Sequence, residues 1–190
     1  MYSNGMKNRG FIAGAFKPFH KGHFHLIQRA SLECDELHLY VSLKDRENTK
    51  GDKMKCLWLN VIEPRLKTLL LNLTVHYSDN SPIKDVYVNT AFLDREQYQD
   101  IITVFASKED MENKFSDEKL IKFCPNLMNN NQLKKIVVER KDTDNISGTE
   151  MRKFLQDNNK KDFINNLPNI FTLDEKQQIF NQLINWLFCI

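Results

Sequence analysis

The chain has 190 residues, of which 41% are hydrophobic and 11% are aromatic. This apolar content is too high for intrinsic disorder, and the length predicts one domain that buries roughly 70% of the surface its unfolded chain would expose. The 27 basic and 25 acidic residues nearly cancel. Such a balance argues against a protein that wraps nucleic acid or coats an anionic membrane, so we expect any anionic partner to bind locally.

Neither the cysteines nor the first residues mark the chain for export. The four cysteines, at positions 34, 56, 124 and 189, are too far apart for a CxxC or zinc-ribbon motif and suggest no disulfide framework. Residues 1–10 lack the apolar stretch of a signal peptide, and no run of 18 apolar residues follows. We therefore expect a soluble, cytoplasmic protein with no nucleic-acid or membrane partner.

Strands and helices alternate along the sequence. In chain order, the apolar patterns predict a strand over 11–16, a helix over 22–34, a strand over 36–43, a helical segment over 53–73, a strand over 74–77, a helix over 82–95, a strand over 101–106, a helix or helical pair over 109–123, a strand over 135–139, and helices over 149–157, around 163 and from 174 onward. Because proline interrupts a helix interior, Pro64 predicts that the segment 53–73 forms two pieces.

This alternation, with nearly continuous β-branched runs, indicates a parallel sheet covered on both faces. We predict an α/β fold, namely a Rossmann-like, doubly wound parallel sheet of five strands with helices on both faces and a helical C-terminal tail. The core is predicted over 10–155 and the extension over 156–190, within one domain over 1–190. The final helix is apolar enough to be either a packing element or a dimer contact, which leaves a homo-oligomer open.

The most informative stretch is GAFKPFHKGH, which lies where the first predicted strand meets the first helix. Ligands of open α/β sheets bind at the carboxyl ends of the strands, and a helix N-terminus there offers N–H groups and a positive dipole to phosphate. Gly14 permits close backbone approach, and Gly22 leaves room at the helix start. His20 and His23 carry imidazoles that can donate hydrogen bonds to phosphate oxygens.

A second stretch, ISGTEMR, follows the fifth predicted strand and opens a helix. Its first turn offers N–H groups, a hydroxyl from Ser147 or Thr149, and the guanidinium of Arg152 about one turn further along. These groups form a second predicted anion site. Ser147 and Thr149 are also common helix-capping residues, so a purely structural role for them stays open.

The pattern G-x-F-x-P-x-H-x-G-H resembles the signature of the nucleotidyltransferase superfamily, with HxGH at residues 20–23. The spelling Ser-Gly-Thr-Glu at residues 147–150, together with the first motif, is similar to archaeal-type nicotinamide mononucleotide adenylyltransferases. This resemblance implies ATP and a small phosphorylated acceptor, nicotinamide mononucleotide, as substrates. It further implies NAD and pyrophosphate as products and Mg²⁺ bound mainly through nucleotide phosphates.

The resemblance also implies two sets of site residues. The catalytic set is His20, His23, Arg152 and Lys17. The nucleotide-binding set is Gly14, Ala15, Phe16, Gly22, Ser147, Gly148 and Thr149. In this scheme His20 and His23 contact the α- and β-phosphates, while Arg152, Lys17 and the amides of the second motif hold the β- and γ-phosphates.

Other residues carry weaker signals. Trp58 and Tyr87 are candidates for stacking on a base or nicotinamide ring, although core packing is somewhat favoured for them. We expect no metal site made by protein side chains, because no cysteine or carboxylate completes a set with the clustered histidines. His25, His38 and His76 are expected to be structural or solvated.

Three alternatives remain to be weighed against an adenylyltransferase. Related adenylyltransferases often carry a glycine and a carboxylate after the fourth strand, whereas this chain has Phe105-Ala106-Ser107-Lys108 there. The nucleobase and the acceptor substrate are therefore left open. A cytidylyltransferase acting on a phosphorylated alcohol or sugar is the first alternative, and a non-catalytic nucleotide-binding regulator is the second. An aminoacyl-tRNA synthetase, the third, is disfavoured because 190 residues leave no room for an anticodon-binding domain.

Overall fold

A five-stranded parallel sheet lies at the centre of the computed structural model, which describes residues 6–46, 50–139 and 146–188. Its strands are β1 (Asn8–Gly14), β2 (Glu36–Ser42), β3 (Leu73–Ser78), β4 (Ile101–Ala106) and β5 (Leu133–Val137). Their order is β3-β2-β1-β4-β5, and each neighbouring pair runs parallel. The chain winds outward from β1 to β3 and then crosses to β4 on the other side, so the predicted doubly wound fold is confirmed.

Helices cover both faces of this sheet. Those in the described residues are α1 (Lys21–Ser31), α2 (Gly51–Leu57), α3 (Glu63–Leu69), α4 (Pro82–Arg95), α5 (Lys108–Lys114), α6 (Asp117–Phe123), α7 (Pro125–Asn129), α8 (Gly148–Gln156), α9 (Lys160–Asn165) and α10 (Leu173–Phe188). Alternate strand residues point to opposite faces: Ile12 and Phe105 pack with α1–α3 and α8–α10, while Phe11 and Val104 pack with α4–α7. Among these described helices, none has the length and apolar character needed to cross a membrane.

The first strand begins and ends earlier than its apolar run predicts. It includes Asn8 and Arg9, which a hydrophobic pattern does not detect because they are polar. The Arg9 guanidinium forms an ion pair with the Asp100 carboxylate at 2.8 Å. At the other end the strand stops at Gly14, because Phe16 adopts a left-handed backbone with φ of 51°. The carboxyl end of β1 therefore passes directly into the loop of the first motif.

The prediction of two helical pieces is confirmed for the α-helices, because α2 ends at Leu57 and α3 begins at Glu63, one residue before Pro64. The backbone between the two pieces nevertheless stays helical. Between α2 and α3 the backbone forms a π-helical turn over Trp58–Ile62, in which the Glu63 amide donates to the carbonyl of Trp58. Pro64 then sits in the first turn of α3, where a missing N–H costs no intrahelical hydrogen bond. The wider turn thus accommodates the proline and keeps Trp58 buried.

A histidine pair joins two neighbouring strands on the α4 side of the sheet. His38 Nδ1 and His76 Nε2 are 3.0 Å apart, and the ring of His76 stacks on Tyr40 with centroids 4.6 Å apart. Burial, together with repulsion from His76 and Arg9, lowers the pKa of His38 to about 4. Burial also lowers the pKa of His76. Both rings are therefore neutral in the folded protein at pH 7.

We expect acid to destabilise the protein through this pair. The unfolded histidines have a pKa near 6.5, so the unfolded chain takes up protons first as the pH falls. The stability that depends on the neutral rings is complete above about pH 6.5 and is lost as the pH falls towards 4, with a loss on the order of 1–2 kcal/mol from His38 by about pH 5. Urea unfolding across this range measures the loss. A His38→Gln/His76→Gln double variant, which cannot titrate, should lose less stability, and an equal loss would contradict the prediction.

Candidate active site

A cavity of about 710 Å³ opens at the carboxyl ends of the strands, where the strand order reverses between β1 and β4. Its walls come from the ends of β1, β2, β4 and β5 and from the first turns of α1, α4, α5 and α8. Both predicted motifs contribute side chains to it. This is the place in a doubly wound sheet where ligands bind, and the volume falls in the range of small-molecule sites.

The two motif histidines form a stacked pair on one wall of this cleft. Their ring centroids are 3.7 Å apart with an interplanar angle of 27°. The His20 side chain is 2% exposed and caps α1, because its Nδ1 accepts a hydrogen bond from the Gly22 amide at 3.1 Å. A neutral His20 ring therefore carries its proton on Nε2, which makes that nitrogen a hydrogen-bond donor.

Gly22 is required for this arrangement. A Cβ at position 22 would lie 3.0 Å from Cε1 and 3.1 Å from Nδ1 of the His20 ring, which is tighter than ordinary packing. A larger residue would therefore push the imidazole away from its capping position. The sequence predicted that Gly22 leaves room at the helix start, and the structure shows that this room is taken by the His20 ring.

The backbone at the start of α1 differs from the prediction in one respect. The Lys21 amide donates to the carbonyl of Asn166 at 2.9 Å, the Gly22 amide donates to His20, and the His23 amide donates to the His20 carbonyl at 3.0 Å. The predicted N–H groups of this helix start are thus already hydrogen-bonded. Anion contacts on this wall would have to come from the imidazole side chains.

Buried aromatic side chains pack against the histidine pair on its core side. The Phe16 ring is 1% exposed and meets His23 edge-on at 4.8 Å and Trp58 at 5.7 Å. A Cβ at Gly14 would lie 2.9 Å from the Phe16 ring, so the glycine permits this packing. Ala15 lines the cleft between these two residues. In the first motif, Gly14 therefore makes room for the Phe16 ring that packs against His23, in addition to the close ligand approach that the sequence predicted.

Lys17 connects the first motif to two other segments. Its side chain is 2% exposed and its ammonium donates to the carbonyl of Lys44, in the loop after β2. Its own carbonyl accepts a hydrogen bond from Arg152 Nη1 at 2.9 Å. Burial lowers the pKa of Lys17 to about 8, an effect partly offset by Asp45. Lys17 therefore lines the cleft as a buried residue bonded to the protein.

The second motif forms another wall of the cleft, and its polar groups suit a phosphate. Ser147 caps α8 in a capping box, with its hydroxyl and amide both donating to the Glu150 carboxylate, at 2.8 and 2.9 Å. The Arg152 side chain, 5% exposed, donates from Nη2 to the Thr149 hydroxyl at 3.0 Å. The backbone amides of Gly148 and Thr149 make no hydrogen bond to any residue that the structure describes. Two amide donors and one guanidinium thus converge at the start of this helix.

The aromatic candidates lie outside the cleft. Trp58 is 0% exposed and makes edge-to-face contacts with Phe16 and Phe19 in the core. Tyr87 stacks on Phe115 at 5.7 Å, and its hydroxyl donates to the Lys114 carbonyl at 2.6 Å. Packing therefore accounts for both residues.

Several cleft residues escaped the sequence prediction: His25, Ser42, Arg46, Ser81, Ser107, Asp110 and Lys114. Ser81 and Ser107 cap α4 and α5 within three residues of the ends of β3 and β4, so the rule that sites lie at strand ends could have found them. Asp110 and Lys114 form an ion pair at 2.6 Å, which balances charge on that wall. Arg46 adds a second cation beside Lys17 but carries no motif signal.

The doubly wound sheet with a cleft at its switch point is an architecture on which many nucleotide-binding domains are built. The chain belongs to the cytidylyltransferase-like family, whose model matches residues 11–154. This match confirms the predicted membership of the nucleotidyltransferase superfamily. The roles assigned above to individual site residues stay predictions.

Curated relatives match the chain, each over a short stretch of sequence. Over 44 residues it is 43% identical to the nicotinamide-nucleotide adenylyltransferase of Haloarcula marismortui, with 23% of each chain covered. Over 39 residues it is 49% identical to the trifunctional NAD biosynthesis/regulator protein NadR of Salmonella typhimurium, with 20% of this chain and 10% of the relative covered. The matches thus span a tenth to about a quarter of these relatives.

The fold also matches solved structures over nearly the whole chain. A bifunctional NMN adenylyltransferase/ADP ribose pyrophosphatase from Francisella tularensis, complexed with AMP and a Mn ion, superposes with a TM-score of 0.57 at 14% identity. The alignment covers 95% of this chain and 52% of that chain. At this identity the likeness supports the shared fold.

Proposed function

We propose that the protein is an adenylyltransferase that joins ATP to nicotinamide mononucleotide, giving NAD and pyrophosphate. The observation that carries the proposal is one cleft that contains both the stacked pair His20–His23 and the donor group of Arg152 with the Gly148 and Thr149 amides. Donors on two walls suit a polyphosphate, whose charge is spread over several groups. The relatives named above as adenylyltransferases support ATP and this acceptor.

The proposed reaction is a direct transfer. A phosphate oxygen of the acceptor attacks the α-phosphorus of ATP, the bond from that phosphorus to the bridging oxygen breaks, and pyrophosphate leaves with the electron pair. The protein's part is to align the two reactants and to stabilise the charge that grows on the transferring and leaving groups. His20 and His23 would donate to the α- and β-phosphates. Arg152 and the α8 amides would hold the β- and γ-phosphates.

Lys17 has a different place in this proposal. Its ammonium is bonded to the Lys44 carbonyl, and its own carbonyl holds the Arg152 guanidinium. We infer that it orients Arg152 and the loop after β2, with a direct contact to phosphate as a further role when the nucleotide binds.

Mg²⁺ suits this cleft when it is held through the nucleotide. Among the described residues no group of three or more His, Cys, Asp or Glu side chains is arranged to hold a metal ion. Mg²⁺ commonly keeps several waters and binds through substrate phosphates with few protein ligands, so this cleft is compatible with it. When bound, the ion would neutralise phosphate charge and help pyrophosphate leave. Among the described residues, the carboxylates that line the cleft are Glu109, Asp110 and Glu139, of which Asp110 is paired with Lys114. They would accept hydrogen bonds from waters bound to the ion.

A substrate panel tests the proposal. ATP, CTP, GTP and UTP are each combined with nicotinamide mononucleotide, phosphopantetheine or phosphocholine, and pyrophosphate release is followed. We expect release with ATP and nicotinamide mononucleotide, with NAD identified as the product. A His23→Ala preparation purified in parallel measures contaminating host enzyme. Release only with CTP would favour a cytidylyltransferase instead, and nucleotide binding without release would favour a regulator.

A further inference from the structure

The loop that follows α9 contacts the first motif on both sides of His20. The Asn166 carbonyl accepts the hydrogen bond from the Lys21 amide, which is the first amide of α1. The Phe171 ring meets the Phe19 ring edge-on, with centroids 6.3 Å apart. Residues just before and just after His20 are therefore both held by a segment about 145 residues further along the chain.

This loop is itself well anchored. The Asn166 amide donates to the carbonyls of Asp162 and Phe163, both at 3.2 Å, and its side-chain amide donates to Asp162 at 2.9 Å. The Phe171 amide donates to the Pro168 carbonyl at 3.3 Å, and the Phe171 side chain is 4% exposed. The Asn166 carbonyl is thus presented from a fixed backbone.

The position of the His20 ring depends on the two residues that the loop holds. His20 caps α1 through the Gly22 amide, so the ring follows the first turn of that helix, whose entry is set by the Lys21–Asn166 hydrogen bond. Phe19 is 2% exposed and lies parallel to the His23 ring, with centroids 6.0 Å apart. A shift of Phe19 would therefore move both imidazoles.

We propose that the segment 166–171 is a positioning element for the histidine pair, and that Phe171 is the positioning residue within it. The segment lies within the C-terminal extension, so this extension would serve catalysis as well as stability. The catalytic consequence rests on the proposed function, whereas the structural consequence for His20 and His23 does not. Because a displacement of about 1 Å can cost up to 100-fold in rate, we expect an effect of roughly tenfold from a smaller side chain at position 171.

Phe171→Leu tests the proposal, with Phe163→Leu as its matched control. Phe163 lies in the same extension, is 0% exposed and has its ring contact with Phe180, at 5.4 Å. Both variants should lose similar thermal stability. We expect Phe171→Leu alone to lower kcat by roughly tenfold, with KM for ATP changed less than about twofold. Phe171→Met keeps more of the volume and replaces Phe171→Leu if that variant does not fold.

Imidazole NMR of the ligand-free protein gives a second readout that needs no substrate. We expect the His20 and His23 resonances to shift in Phe171→Leu and to stay unchanged in Phe163→Leu. Unshifted resonances in the Phe171 variant, or equal shifts in both variants, would overturn the positioning role. If the resonances shift as expected but the wild-type protein turns over no nucleotide, the positioning role stands and the proposed function fails.

Discussion

Replacing His23 with alanine is expected to lower the turnover number by about 100-fold or more while the chain still folds. The ring is half-buried at the cleft, stacked on His20 and backed by Phe16. Removing a single pre-organised donor to a developing negative charge typically costs two to three orders of magnitude in rate. The ring is lost from the edge of the core, so the loss of stability should be on the order of 1 kcal/mol.

The measurement is kcat for pyrophosphate release at saturating ATP and acceptor, with thermal unfolding followed in parallel. Gln28→Ala provides the control, because Gln28 lies on the exposed side of the same helix. It should leave both quantities nearly unchanged. A turnover number for His23→Ala equal to that of the wild type would refute the assigned role.

Replacing Arg152 with lysine is expected to lower kcat/KM for ATP by about 100-fold even though the charge is kept. The guanidinium donates from one nitrogen to the Lys17 carbonyl and from another to the Thr149 hydroxyl. An ammonium is a compact charge that cannot reproduce this planar, two-armed geometry. The buried Lys17 carbonyl would lose its donor, which should cost about 1–3 kcal/mol of stability.

The control for this variant is Lys153→Ala, which removes a positive charge from the exposed neighbour of Arg152. If Lys153→Ala lowers kcat/KM as far as Arg152→Lys does, the effect is one of overall charge and the specific role is wrong. If Arg152→Lys loses stability but keeps full activity, Arg152 is a structural link between α8 and the first motif. Steady-state kinetics and urea unfolding of the two proteins separate these outcomes.

Much of the fold could be predicted because it depends on patterns that are local in the chain. β4 was predicted with its observed ends, since Ile101–Ala106 is a run of apolar and β-branched residues, all of them buried after Ile101. α4 was also predicted with its observed bounds, and local chemistry explains its start: Ser81 caps the helix and Pro82 is its first residue. Pro64 correctly predicted two α-helical pieces in its segment. The π-helical turn that joins them was not predicted, because such a turn has no sequence pattern of its own.

The candidate site likewise has features that local sequence determines and features that depend on tertiary contacts. The sequence by itself determined the two motifs and their placement at the ends of strands, because loop, cap and helix start lie within ten residues of one another and need no distant partner. The tertiary structure alone decided which polar groups stay available. Buried donors must find acceptors, and packing selects those acceptors from distant segments. The Asn166 carbonyl accepts a hydrogen bond from the Lys21 amide, and the Lys44 carbonyl accepts one from the Lys17 ammonium. The Gly148 and Thr149 amides, in contrast, have no acceptor among the described residues.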